Sequence, residues 1–396
     1  MTPPCDTPRH HALTMTPPHQ SLLDLPTPCA LLDEAQMLRN IARMQSRMNA
    51  LGVAFRPHVK TSKCVTVAKA QRDAGALGIT VSTLLEAEQF YAAGFDDILY
   101  AVCISPNKID HALNLRKRGC KLQILVDSVE AVQALVARAD AWGTSLPVLI
   151  EIDVDGHRSG VQPGSGALID IGNALRAGGL EMRGVMTHAG SSYDCADTPA
   201  LLRVAEQERA LCVQAAKRLR AAGLPCPVVS VGSTPTALSA SGLDGVTEVR
   251  AGVYVFFDLV MAGVGVCSPQ EIALSVLGTV IGHQPDKGRV IVDAGWMALS
   301  RDRGTREQSA DQGYGVLCDA HGNVLDGWWV SGANQEHGIC TWRGVGAAPD
   351  VAQRFPLGTR LRILPNHACA TAAQHGHYAV LRDGAVAAQW ARFNGW

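Results

Sequence analysis

Val53-Ala54-Phe55-Arg56-Pro57-His58-Val59-Lys60-Thr61-Ser62-Lys63 sets a short apolar run, a proline and a lysine in immediate succession, early in a long α/β pattern. The apolar run reads as a strand that ends at Pro57, because proline has no N–H to give a ladder. Lys60 then falls at the mouth of a parallel-sheet strand, beside a semi-apolar wall. Only a neutral amine attacks an aldehyde, and a lysine in such a place suits Schiff-base chemistry. Most lysines are instead solvated surface groups, so the rest of the chain has to decide.

Outward from this stretch, strand-like runs recur at 78–82, 97–102, 122–126, 147–153, 182–187, 228–231 and 246–250. Helix-period segments at 34–51, 128–142 and 198–222 stand among them. With 53–56 that makes about eight strands with intervening helices, the count of a closed (β/α)8 TIM-type barrel. An open doubly wound sheet is the rival, but the glycine-rich fingerprint it carries after its first strand is absent. Beyond about residue 265 helical periodicity fades. Runs at 272–281, 289–293, 327–331 and 360–364 predict a second, mostly antiparallel β domain. The expected organisation is a disordered tail at 1–20, a strand within 21–33 joining the β domain, a barrel at 34–264 and the β domain at 265–396. Met1-Thr-Pro-Pro recurs as Met15-Thr-Pro-Pro, so Met15 is an alternative start.

In a barrel the working face lies at the C-terminal strand ends. There the chain offers Lys60, Arg158, His188 with Tyr193, the turn Gly232-Ser233-Thr234, and Arg250-Ala251-Gly252-Val253-Tyr254. The last two are small-residue turns at neighbouring strand ends, where barrels build phosphate sites from backbone amides and hydroxyls. Each alone reads equally as ordinary strand-to-helix capping. Together with a lysine across the barrel mouth they suit an aldehyde-bearing phosphorylated cofactor, pyridoxal 5′-phosphate. In the second domain, His367 and Cys369 stand two apart on a segment read as extended, so both point one way. Such a pair holds a divalent ion with positions left open, or else is simply buried structure. His375 and His377 are read as rim residues rather than ligands.

Bulk composition narrows the classes. The 396-residue chain is 47% hydrophobic and 18% charged with net charge −1, as in a globular enzyme, and recommends neither nucleic acid nor an anionic membrane as partner. Its 12 cysteines contain no Cys-x-x-Cys pair. Scattered single thiols and the lack of a signal-peptide core point to a reduced, cytoplasmic setting.

The Pro57-His58-Val59-Lys60-Thr61 segment, Thr187-His188 through Tyr193, Glu248-Val249-Arg250-Ala251-Gly252-Val253-Tyr254 and the late His367-x-Cys369 together resemble the D-threonine aldolase and D-serine dehydratase family, pyridoxal-phosphate enzymes of alanine-racemase-like fold. The resemblance runs from about Thr27 to the C-terminus. It implies that Lys60 forms the imine and that Gly232, Ser233, Thr234, Gly252, Val253 and Tyr254 hold the phosphate. It implies further that His188 flanks the pyridine ring, that Arg158 lies near its phenolic oxygen and Tyr193 near its nitrogen, and that Arg250 belongs to the cofactor site. His367 and Cys369 match the family's divalent-metal ligands. Among manganese, magnesium and zinc, a thiolate favours zinc or another thiophilic ion. A homodimer acting on a small D-3-hydroxyamino acid is also implied.

Two activities use these parts. The favoured expectation is a D-threonine-aldolase-type cleavage to glycine and an aldehyde, with His188 or His337 moving the hydroxyl proton. The alternative is β-elimination from D-serine or D-3-hydroxyaspartate, giving a keto acid and ammonia. A racemase, with Tyr314 as its second acid/base, and a non-catalytic cofactor carrier are further readings. A carrier has no use for the extra domain and its metal pair.

Overall fold

The computed structural model describes residues 21–346 and 349–396; the tail expected at 1–20 lies outside them. Eight parallel strands, among the described residues, form one sheet in the order Ala54–Phe55, Glu248–Val249, Val228–Val231, Met182–Thr187, Val148–Ile152, Lys121–Val126, Asp97–Cys103 and Ile79–Val81. The sheet closes on itself. Leu77 N–H donates to Phe55 O at 2.8 Å, Thr80 N–H to Pro57 O at 2.8 Å and Val59 N–H to Thr80 O at 2.9 Å, so the last strand meets the first. The (β/α)8 barrel read from the alternating pattern is the fold of this unit.

Burial on both faces explains why these strands read as continuous apolar runs: Ile124, Leu125 and Val126 are fully buried, as are Leu149 and Ile150 nearby. The flanking helices carry their own start signals. Asp33 caps the helix Glu34–Ala50 through Gln36 N–H, and Met37, Ile41, Met44 and Met48 form its buried stripe. Asp197 caps Thr198–Ala221 through Ala200 N–H.

The second sheet has nine strands among the described residues and is antiparallel apart from one pairing. Leu274–Gln284 lies beside Cys29–Asp33, Arg360–Pro365 and Arg289–Val292. Cys29–Asp33 therefore enters this sheet before the chain begins the barrel, and it also pairs in parallel with His377–Arg382. A separate apolar cluster lies under this sheet, where Trp328 packs edge-on against Phe355 at 4.7 Å between ring centroids. Among the described residues no helix is long and apolar enough to cross a membrane.

The segment bearing Lys60 is bound to both units. Tyr378 Oη–H donates to Ser62 O at 2.7 Å, and Phe393 N–H to Lys63 O at 3.1 Å. Second-domain side chains thereby reach the mouth of the barrel.

Candidate active site

A cavity of about 400 Å³ opens at the C-terminal ends of the barrel strands and is walled on one side by the second domain. Lys60 reaches it from the turn after Ala54–Phe55. Its peptide N–H donates to His58 Nδ1 at 3.4 Å, while its Nζ has no acceptor among the described residues. An amine facing a cavity without a partner is free to react with what enters.

Opposite stands His188, immediately after Met182–Thr187. Its Nδ1 donates to Gly232 O at 3.0 Å, which leaves the Nε2 lone pair free. Burial, with the cations of Lys60 and Arg158 adding to it, pushes the imidazole down to about 3, so the ring is neutral at ordinary pH. Tyr193 lies beside it at 6.0 Å between ring centroids, and Arg158 is an exposed cation on the rim. Arg250, 4% exposed, lines the floor and donates to Thr187 O and, at 3.3 Å, to Ser230 Oγ.

The two small-residue turns form a cradle. Gly232 has φ +129°, and a Cβ there would lie 2.3 Å from Arg250 O; a Cβ on Gly252 would lie 3.0 Å from His58 O. Only glycine allows such close approach of backbones. The N–H groups of Thr234, Gly252 and Val253 find no acceptor among the described residues. Unpaired buried donors are rare and suit an anion. Beneath the cradle, buried Glu208 accepts from Ala189 N–H at 2.9 Å and Gly232 N–H at 3.1 Å, binding the His188 turn to the glycine turn. A lone amine and orphaned donors fit pyridoxal phosphate.

On the second-domain wall, His367 and Cys369 face the cavity, but the segment is not extended as expected. His367 is the N-cap and Cys369 lies in the first turn of the short helix Ala368–Ala372, where the backbone has begun to coil around the buried Ala368. Both residues nonetheless line the same cavity. Asp302 Oδ2 accepts from His367 Nδ1 at 2.6 Å, which fixes the tautomer and turns Nε2 outward. Burial opposes ionisation of the Cys369 thiol, but His367, Lys60 and the Thr61 hydroxyl overcome it and draw the thiol below its usual value. An oriented imidazole and a thiol biased to thiolate fit a divalent metal. No group of three or more His, Cys, Asp or Glu forms a metal cage among the described residues; a bound ion would therefore keep open positions.

Several expected residues lie elsewhere. Exposed His337 belongs to the turn between Val324–Ala333 and Gly338–Trp342, where its carbonyl accepts from Asn334 N–H at 2.8 Å, and it does not line the cavity. Tyr254 turns its ring away, edge-on to Phe55, and its hydroxyl accepts from Gln71 Nε2 at 2.8 Å. Only its peptide N–H faces the cradle, donating to Thr234 Oγ1 at 3.2 Å. Tyr314 packs under Arg303 and is absent from the lining; His375 bonds to Ala298 O at 3.0 Å, also away from the cavity. Conversely, His58, Asp258 and Gly304 line the cavity without having been given a role. Asp258 is committed to structure, accepting from Met261 and Ala368 N–H groups.

Residues 32–260 match the family "Alanine racemase, N-terminal domain", and residues 273–381 match "Putative serine dehydratase domain". The chain belongs to this alanine racemase-like family. The D-threo-3-hydroxyaspartate dehydratase of Delftia sp. (strain HT23) is 63% identical over 95% of this chain and 99% of its own. The solved structure of the Delftia sp. HT23 dehydratase superposes with a TM-score of 0.93 at 62% identity, covering 95% of this chain and 100% of that one. The D-threonine aldolase of Arthrobacter sp is 29% identical over 96% of each chain. The chain is thus an enzyme of the pyridoxal-phosphate-dependent lyase class. Within that class, these relatives back the dehydratase alternative over the aldolase favoured from the sequence.

Proposed function

We propose that this enzyme is a D-3-hydroxyaspartate dehydratase, converting the D-threo isomer to oxaloacetate and ammonia. The observation that carries the reading is its 63% identity, along nearly the whole length of both chains, with a dehydratase of that substrate. The cavity supports it, because an unpartnered amine and an oriented His–Cys pair share one space, as loss of an α-proton and a β-hydroxyl requires.

Pyridoxal phosphate, when bound, supplies an electron sink that acidifies the Cα–H of an amino acid joined to its aldehyde carbon. Lys60 would provide that joining amine and, once displaced by substrate, the base that takes the α-proton. The Thr234, Gly252 and Val253 N–H groups would hold the phosphate, and neutral His188 would stack on the ring without adding a charge. Arg250, fixed by Thr187 and Ser230, would face the ring from the floor. His367 and Cys369 would hold a divalent ion, whose Lewis acidity weakens the bond to a β-hydroxyl. Asp302 keeps His367 in the tautomer that presents Nε2. Aldol cleavage would need a base for the hydroxyl proton instead, and of the two assigned to it, His337 lies outside the cavity.

Incubation with D-threo-3-hydroxyaspartate, pyridoxal phosphate and zinc or manganese separates the readings. Equal amounts of oxaloacetate and ammonia support the dehydratase. Glyoxylate and glycine would establish the aldolase in its place.

A further inference from the structure

Three consecutive residues after the cofactor lysine each bond to a different part of the second domain. Thr61 Oγ1 lies 3.1 Å from Cys369 Sγ, Ser62 O accepts from Tyr378 Oη–H at 2.7 Å, and Lys63 O accepts from Phe393 N–H at 3.1 Å. The last two are bonds of backbone carbonyls, which any residue would offer. The first depends on the side chain. Thr61 is fully buried, so its hydroxyl has no water to turn to.

We propose that Thr61 is a positioning residue that couples the metal site to the cofactor lysine. Its hydroxyl donates to the Cys369 sulfur, and its peptide nitrogen is joined directly to Lys60. A hydrogen bond to a ligating thiolate fixes the direction of the sulfur lone pairs and disperses part of its charge, as partners of metal ligands commonly do. A metal that draws Cys369 toward itself therefore moves the Thr61 hydroxyl, and with it the backbone from which Lys60 projects. Valine at 61 would fill the same space yet leave the sulfur without its donor. The inference rests on His367 and Cys369 being metal ligands, and deepens that reading.

Zinc affinity of the pyridoxal-phosphate-loaded enzyme, measured by competition with a chromophoric chelator, tests it alongside the visible absorbance of the lysine-bound cofactor as zinc is added. Thr61→Val is expected to bind zinc about tenfold more weakly, and its cofactor band is expected to stay still on zinc addition where the unaltered enzyme's band moves. Thr61→Ser, which keeps the hydroxyl, is expected to restore both. A purely space-filling role would be met by valine, so equal zinc affinity in Thr61→Val overturns the proposal, as does a Thr61→Ser enzyme that behaves like Thr61→Val. If Thr61→Val does not fold, the unaltered enzyme still decides: a cofactor band indifferent to zinc overturns the coupling. An enzyme that binds no zinc at all overturns the metal reading together with it.

Discussion

Replacing Gly232 by alanine strikes the cradle at its tightest point. The added Cβ would lie 2.3 Å from Arg250 O and 3.0 Å from Arg250 N, at a φ of +129°. The neighbouring strand cannot yield freely, because Arg250 N–H is itself bonded to Val231 O at 2.8 Å. Relief requires the turn to move by roughly 1 Å in a close-packed interior. The unfavourable backbone conformation costs about 1–3 kcal/mol, and overpacking about another 1–3 kcal/mol. Movement of the turn opens the cradle, so cofactor affinity is expected to fall at least about tenfold, or about 1.4 kcal/mol. Gly143→Ala provides the control. Its φ is +60° and nothing lies within 4 Å of the new Cβ, so it is expected to lose about 1–2 kcal/mol of stability and no cofactor affinity. Thermal unfolding of the cofactor-free proteins and cofactor titration by absorbance give both numbers. If Gly232→Ala melts like the unaltered protein and binds pyridoxal phosphate equally well, the cradle has been misplaced.

Lys60→Ala is expected to lose the visible absorbance of lysine-bound cofactor, and survival of that band in a spectrum would remove Lys60 from its role. His367→Ala, or treatment with a chelator, is expected to abolish turnover while cofactor absorbance persists; loss of the band as well would mark the metal as structural. The cofactor-free protein is expected to weaken in mild acid. His188 is pushed down to about 3 and His58 well below its ordinary value, by burial foremost. Below about pH 6.5 the unfolded chain takes up protons that these rings refuse, so the stability these two rings contribute is full above that pH. As pH falls further it is lost at about 1.4 kcal/mol per unit for each ring. Denaturant titrations at pH 7 and pH 5 check this, and His188→Gln should flatten the dependence.

The barrel was legible because its physics is local. Parallel strands buried on both faces must be apolar throughout, and segments such as Met182–Thr187 and Val228–Val231 stand where the sequence puts them. Strand Ala385–Ala391 was not apparent, since a half-buried antiparallel strand mixes small and polar residues that read equally as loop; Gly315–Cys318 is only four residues long and too short to show a period. Lys60, His188 and the glycine turns announced themselves by lying at strand ends. Asp302 and Thr61 did not. They reach their partners across 65 and 308 positions of sequence, and nothing near either one marks a donor for a ligand. His337 misled for a related reason: polar residues interrupting β-rich sequence mark a hairpin turn as readily as a site.

D-threo-3-hydroxyaspartate carrying deuterium at Cα gives the sharpest measurement. Elimination breaks that bond, with Lys60 receiving the isotope, whereas aldol cleavage leaves it intact. The account predicts a primary isotope effect on kcat/KM, with oxaloacetate and ammonia as products. Full-rate turnover of the deuterated substrate to glyoxylate and glycine would contradict it.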